Sequence, residues 1–205
     1  KLALDGSNIQ ASQFALEFDF YFDGGTGGTF LGVGFPSLST ETNNDVIIYL
    51  EEQSWSIDNT IKYSGEINET LVGQWSHLQI IYSDSQVVAF LNGELLGNAE
   101  GISHLGNEIW IAAVTEGQGK LRLDNIKFWN LDTFSSVIAF TEPILDFTAD
   151  TPPDFEEDFS TPKAYWNTTQ VDVDTIADRV TNGIFHFSDK NGDEGFTIAE
   201  LQGQD

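Results

Sequence analysis

Phe14, Leu16, Phe18, Phe20 and Phe22 alternate with Ala15, Glu17, Asp19 and Tyr21. A period of two sends these sets to opposite sides of an extended backbone, so the spacing predicts a long strand over residues 14–22 with one apolar face. Glycines at 24, 25, 27 and 28 break it, and a second strand is expected from Phe30 to Phe35, followed by a polar loop from Pro36 to Asp45. Val46–Leu50, Ser54–Ile57 and Thr60–Tyr63 read as further short strands. Leu78, Ile80 and Tyr82 share one face of a strand that opens at Gln74. Val87–Leu91 follows and runs into Asn92-Gly93, a pair that accepts the positive φ angles of a tight hairpin, with Glu94–Leu96 returning. Ile109–Val114 reads as a buried strand. Leu121 and Leu123 are out of phase with Ile126 and Phe128, and one extra residue near Asp124-Asn125 restores the phase, which predicts a β-bulge there. Helical periodicity is missing throughout, and only Ile102–Leu105 could form a helical turn.

The texture changes at Thr141, where Pro143, Pro152 and Pro153 sit among acidic residues. Strand-forming stretches resume at Val171–Asp174 and Ile184–Phe187. Phe185 and Phe187, with the polar turn after them, repeat the spacing of Leu2 and Leu4 at the start of the chain. The expected class is all-β: a two-sheet antiparallel jelly-roll sandwich with an extended C-terminal strand-bearing arm. The expected organisation is a sandwich over residues 1–140, an acidic Pro-containing linker over 141–157, and a strand-bearing tail over 158–205 that is either the start of a next repeat or a set of donated strands.

Composition narrows the function. The chain carries 33 acidic against 8 basic residues, a formal net charge of -25. Such a chain repels nucleic acid and anionic membranes, and no apolar run approaches the ~20 residues of a helical membrane span. With no Cys there is no disulfide scaffold, thiolate metal site or cysteine nucleophile, and with no Met the chain is expected to be a processed or excised piece.

Three segments carry a family resemblance: Phe14–Phe22; Gly73–Leu78 running into Val87–Gly93; and Leu121–Trp129. Together they resemble the concanavalin A-like lectin/glucanase jelly roll in the laminin-G-like form found in bacterial surface proteins. The opening segment of such domains is similar to Asp158-Phe159-Ser160, Trp166 and Gly183–Phe187, here displaced to the far end. The resemblance implies an extracellular or cell-surface setting, and a family that holds lectins, adhesion modules, glucanases and plain spacers.

The same strands carry the candidate chemistry. Retaining glucanases of this fold carry Glu-x-Asp-x-x-Glu on one strand; here Glu17-Phe18-Asp19 is followed by Phe22 where the second catalytic carboxylate belongs, so the acids read as outward-facing surface groups and the chain as no enzyme. His77, His104 and His186 pair with no recognisable triad motif, and His77 reads as a structural strand residue. Asp189, Asn191, Asp193 and Glu200 have calcium-loop spacing, but Glu194 replaces the expected Gly and no helices flank the segment; a polar turn is the preferred reading, with calcium left open there or at Asp23. Tyr49, Trp55 and Tyr63 are the candidate sugar-binding aromatics on a concave sheet, with core packing the preferred reading, whereas Trp75, Trp110 and Trp129 lie in apolar contexts that are better suited still to the core. Asn68 and Asn167 begin glycosylation triplets.

The function expected from these observations is a non-catalytic structural or adhesive module. A sandwich short of one strand exposes backbone donors and an apolar seam, while a tail of roughly fifty residues without disulfides is too small to bury a core of its own. Val171, Val173, Ile184, Phe185 and Phe187 are therefore expected to fill the seam of a neighbouring copy, or of an adjacent repeat, and so to build a filament. The alternative is a lectin-like glycan-binding module.

Overall fold

In a computed structural model of the chain, residues 2–4, 13–24, 29–34, 46–57, 63–101, 109–115, 121–132, 152–158, 160, 166–169, 180–181, 184–186 and 198–201 are described. In chain order the strands are β1 (Leu2–Leu4), β2 (Phe14–Phe22), β3 (Thr29–Gly34), β4 (Val46–Leu50), β5 (Ser54–Ile57), β6 (Ser64–Glu66), β7 (Trp75–Ser83) and β8 (Gln86–Leu91). There follow β9 (Glu94–Glu100), β10 (Ile109–Thr115), β11 (Leu121–Asn130), β12 (Phe155–Glu157), β13 (Trp166–Thr169), β14 (Val180–Thr181), β15 (Ile184–His186) and β16 (Ile198–Leu201). One sheet has the order β1-β10-β3-β4-β5-β6; the second, eight-stranded, runs β14-β15-β11-β2-β7-β8-β9 with β12 also on β11; β13 and β16 form a separate ribbon. All these strand pairs are antiparallel, and the chain is a two-sheet jelly-roll sandwich.

The alternation along β2 builds the interior. Phe14, Leu16, Phe18, Phe20 and Phe22 are all buried and face Leu31, Val33, Ile48, Leu50, Ile57 and Ile111 of the opposing sheet in one apolar cluster. Each buried side chain of this size contributes about 1.5–3 kcal/mol of transfer free energy, before the entropy of ordering the chain is set against it. Two hairpin turns set the register of β7, β8 and β9. Asp84-Ser85 (φ 50° and 63°) and Asn92-Gly93 (φ 51° and 82°) both have two positive φ values, the twist that suits two-residue hairpins. The predicted bulge is present: the β2–β11 register shifts between Asp124 and Lys127, with Asn125 at φ 51°, and Leu121, Leu123, Ile126 and Phe128 all reach the core.

The C-terminal segments depart from expectation in placement. Ile184 and Phe185 lie on β15, which pairs with Arg122 and Leu123 of β11 within the same chain. Phe155–Glu157, read from sequence as linker, is a strand on the same edge of β11, opposite Ile126–Phe128. The edge of β11 away from β2 is thus shared by two tail strands, which pair its backbone groups instead of leaving them open. The likeness of Phe185 to the Leu2–Leu4 segment does not extend to position: β1 lies on β10 at the edge of the six-stranded sheet, β15 in the other sheet. Val171, Val173 and Phe187 lie outside the described residues. Of the strand expected at Thr60–Tyr63, residues 60–62 lie outside the described residues, and β6 begins at Ser64, just past the expected end.

Candidate functional site

The odd-numbered residues of β2 point away from the core and set out a grid across β7, β2 and β11. Cross-strand register aligns Trp75–Tyr21–Arg122, then His77–Asp19–Asp124, then Gln79–Glu17–Lys127, then Ile81–Ala15–Trp129. The last row joins Val88, Phe90 and Leu131 in a second buried apolar cluster. The first three rows are polar and aromatic.

His77 lies at the centre. Its Nδ1 is 2.6 Å from Asp19 Oδ1 and its Nε2 is 3.6 Å from Glu17 Oε2. Glu17, only 4% exposed, also accepts hydrogen bonds from Gln79 Nε2 (3.0 Å) and Lys127 Nζ (3.1 Å). Asn125 Nδ2 donates to the second oxygen of Asp19 at 2.7 Å, an approach set up by the bulge. The strand position of His77 is held by its own backbone, which exchanges 2.8 Å hydrogen bonds with the side chain and backbone of Asn92 in the hairpin turn.

These contacts set the charges. Hydrogen bonds to Asp19 and then Glu17 outweigh burial and raise His77 to about 9. Burial pushes Glu17 upward, but hydrogen bonds from His77, Gln79 and Lys127 prevail and hold it at about 2. Burial opposes ionisation of Asp19 too, and His77 and Asn125 overcome it, so its affinity for a proton falls. Asp124 is shifted upward by burial and by the charges of Asp19 and Asp158. His77 is therefore an imidazolium at neutral pH with both nitrogens facing carboxylates, which suits it to bracing and not to accepting a proton. Gln79 Oε1 is buried without a hydrogen-bond partner, a cost of about 1–3 kcal/mol that the donation to Glu17 offsets in part.

Beside this network the surface is aromatic. Trp75 is 42% exposed, its ring centroid 5.6 Å from that of Tyr21. The Arg122 guanidinium sits 4.8 Å from the Tyr21 centroid and is held there by both carboxylate oxygens of Asp23 at 2.5 and 3.2 Å. Asp23, considered above as a calcium ligand, is thus committed to Arg122.

The two readings made from sequence here need correction. Glu17 does face outward, but it is a buried carboxylate with two hydrogen bonds and an ion-pair contact to His77, and not a solvated surface acid. Trp75, read as core, is exposed; Trp129 is buried as expected. A signal existed for Trp75, since its odd number sets it opposite the inward Leu78, Ile80 and Tyr82. The His77–Asp19 pair spans 58 residues, and no local motif announces it.

Tyr49, Trp55 and Tyr63 do not form one aromatic face. Trp55 is the cross-strand neighbour of Leu50 and leans inward over Gly65 towards Gly97, while Tyr49 pairs with Ser56 on the outer side of β4. Tyr63 packs against the core together with Trp55. Tyr49 and Trp55 still border one shallow depression with Glu51, Ser54, Ser56 and Glu66. Of the calcium-spaced residues, Asp189, Asn191 and Asp193 lie outside the described residues, and Glu200 lies on β16 opposite Asn167. Among the described residues, no group of three or more His, Asp or Glu is placed to hold a metal ion. No described helix is long and apolar enough to cross a membrane.

No protein-family model and no curated protein matches the chain. Among solved structures it is similar to sheep galectin-11 in complex with glycerol, at 11% identity and a TM-score of 0.43 over 58% of this chain and 92% of the galectin. It is also similar to the marine PL7 alginate lyase AlyA1 from Zobellia galactanivorans, at 15% identity and a TM-score of 0.43 over 62% of this chain and 64% of the lyase. A third likeness is to the native heptameric SAP-like pentraxin from Limulus polyphemus, at 12% identity and a TM-score of 0.34 over 58% of this chain and 64% of the pentraxin. The chain thus spans less than two thirds of the lyase and of the pentraxin. These likenesses concern the fold alone.

Proposed function

We propose that this chain is a non-catalytic, extracellular binding module that takes a glycan on the outer face of its eight-stranded sheet, at Trp75, Tyr21 and Arg122. The observation that carries the reading is the exposed Trp75 ring bordering a rigid, charge-paired grid. An indole offers an apolar face and a polar edge, a good match to a sugar ring with its C–H surface and hydroxyl rim. Glu17, Asp19 and Asp23 are each matched by a cation, His77, Lys127 or Arg122. On a chain of net charge -25 this local pairing favours a neutral polyhydroxyl ligand over an anionic one. A glycan array followed by calorimetry tests the reading: neutral oligosaccharides should bind and Trp75→Ala should abolish the signal. Silence across the array, or binding that survives the substitution, defeats it.

A second reading, assembly of copies end to end by strand exchange, is favoured by one observation: β12 and β15 lie on the edge of β11. The same strands from one copy would fit β11 of the next. Within one chain the tail acts at an effective concentration in the millimolar range, so exchange would need high protein concentration or a displaced tail. Light scattering across concentration tests this, with removal of residues after Asp150 expected to end assembly and destabilise the sandwich.

A further inference from the structure

A cavity of about 250 Å³ opens where the edges of the two sheets meet, between β6 and the β8–β9 hairpin, with neither Trp75 nor Tyr21 in its lining. Its apolar wall is formed by the indole of Trp55 with Leu91 and Leu96, and Glu66, Glu69 and Glu94 stand around it. Among the described residues, no Lys, Arg or His lines it. The contrast with the outer face is chemical. There each of three carboxylates meets a cation, whereas here three carboxylates surround an aromatic wall and none of the described cations answers them. Exposed acids alone are an ordinary solvated surface. A concave site with room for roughly eight water-sized groups, walled by an indole and aliphatic carbon, is different. An indole face attracts organic cations through its quadrupole, and the leucines match the methylenes behind the charge.

We infer that this cavity binds an alkylammonium group, the chemistry shared by a lysine side chain and a free aliphatic amine, with its carbon stem along Leu91 and Leu96 and its charge between Trp55 and the three glutamates. Gly65 and Gly97 make the arrangement possible, because a Cβ at either would stand within 2.7 Å and 2.3 Å, respectively, of the indole.

The test is a nuclear magnetic resonance titration of the folded full chain, following the Trp55 indole N–H, assigned with Trp55→Phe. The probes are n-butylammonium, n-butanol, and lysine capped at both ends with and without acetylation of its Nζ. Saturable shifts are expected with n-butylammonium, at least tenfold weaker binding with n-butanol and with the acetylated lysine, and at least fivefold weaker n-butylammonium binding in Glu69→Gln/Glu94→Gln. Both glutamates are exposed, so this variant should keep the fold, and an unchanged spectrum elsewhere checks that. Tighter binding of capped lysine than of n-butylammonium identifies a protein side chain as the source; equal affinity identifies a free amine. Equal response to n-butanol, no saturation with n-butylammonium, or an unaltered affinity in the double variant overturns the inference. None of these outcomes bears on glycan binding at Trp75.

Discussion

Trp55 and Trp75 both lie on strands, each beside a serine, and have opposite surroundings. Trp55 shares the inward side of its sheet with Leu50 and Ile57, crosses Gly65 and reaches Gly97 of the other sheet. Trp75 shares the outward side with Tyr21 and Glu17 and stands 42% exposed. The indole is the same; parity against the buried neighbours on its own strand decides what it does. One ring ties the two sheets together, and the other is left open to solvent.

The largest effect should come from cutting the tie. Trp55→Ala removes a half-buried ring between two sheets and should lower stability by about 2–3 kcal/mol, read by urea unfolding. A loss below about 0.5 kcal/mol would mean that the ring merely rests on the surface. The approach to Gly97 gives a sharper version. Gly97→Ala places a methyl 2.3 Å from the indole, so either the ring or β9 must move, at about 1–3 kcal/mol. In the Trp55→Ala background the same substitution should cost much less, and additivity of the two would break the proposed contact.

Much of this could be read from the sequence, where the information was local. The β2 alternation, the Asn92-Gly93 turn and the bulge at Asp124-Asn125 depend on a few adjacent residues, and all three are present. The parity that separates Trp55 from Trp75 was equally local, but the apolar context of Trp75 pointed to the core and obscured it. Glu17 illustrates the opposite limit. Its burial depends on Gln79, 62 residues away, and on Lys127, 110 residues away, so strand pairing had to be known first. The tail was legible as strand-forming, while its seat on β11 depends on a register that periodicity does not encode.

Ionisation of the network beside Trp75 supplies an intermediate effect. His77 is raised from 6.5 to about 9, so its contribution is complete below pH 6.5 and is lost as pH climbs through 9. Glu17 is lowered from 4.5 to about 2, so its contribution is complete above pH 4.5 and is lost as pH falls through 2. Stability from this cluster should therefore be flat between pH 4.5 and 6.5 and fall on both sides. The alkaline loss should be about 1–2 kcal/mol, allowing for the solvent screening of a side chain 30% exposed. His77→Gln should flatten the alkaline limb, and parallel profiles for the two proteins would show that the imidazolium contributes nothing.

The smallest stability effect belongs to Trp75, and there the comparison bears on function. Its ring touches Tyr21 and solvent, and it fills no space between the sheets. Trp75→Ala should move unfolding by no more than about 0.5 kcal/mol, as an exposed strand residue with one aromatic neighbour would. The same change should remove most of the apolar contact offered to a sugar ring while leaving Asp19, His77 and Arg122 in place. A protein of unaltered stability that no longer binds glycan would separate recognition at Trp75 from support at Trp55. A Trp75→Ala protein that loses as much stability as Trp55→Ala would place both rings in the framework and leave the outer face without a ligand-facing aromatic of its own.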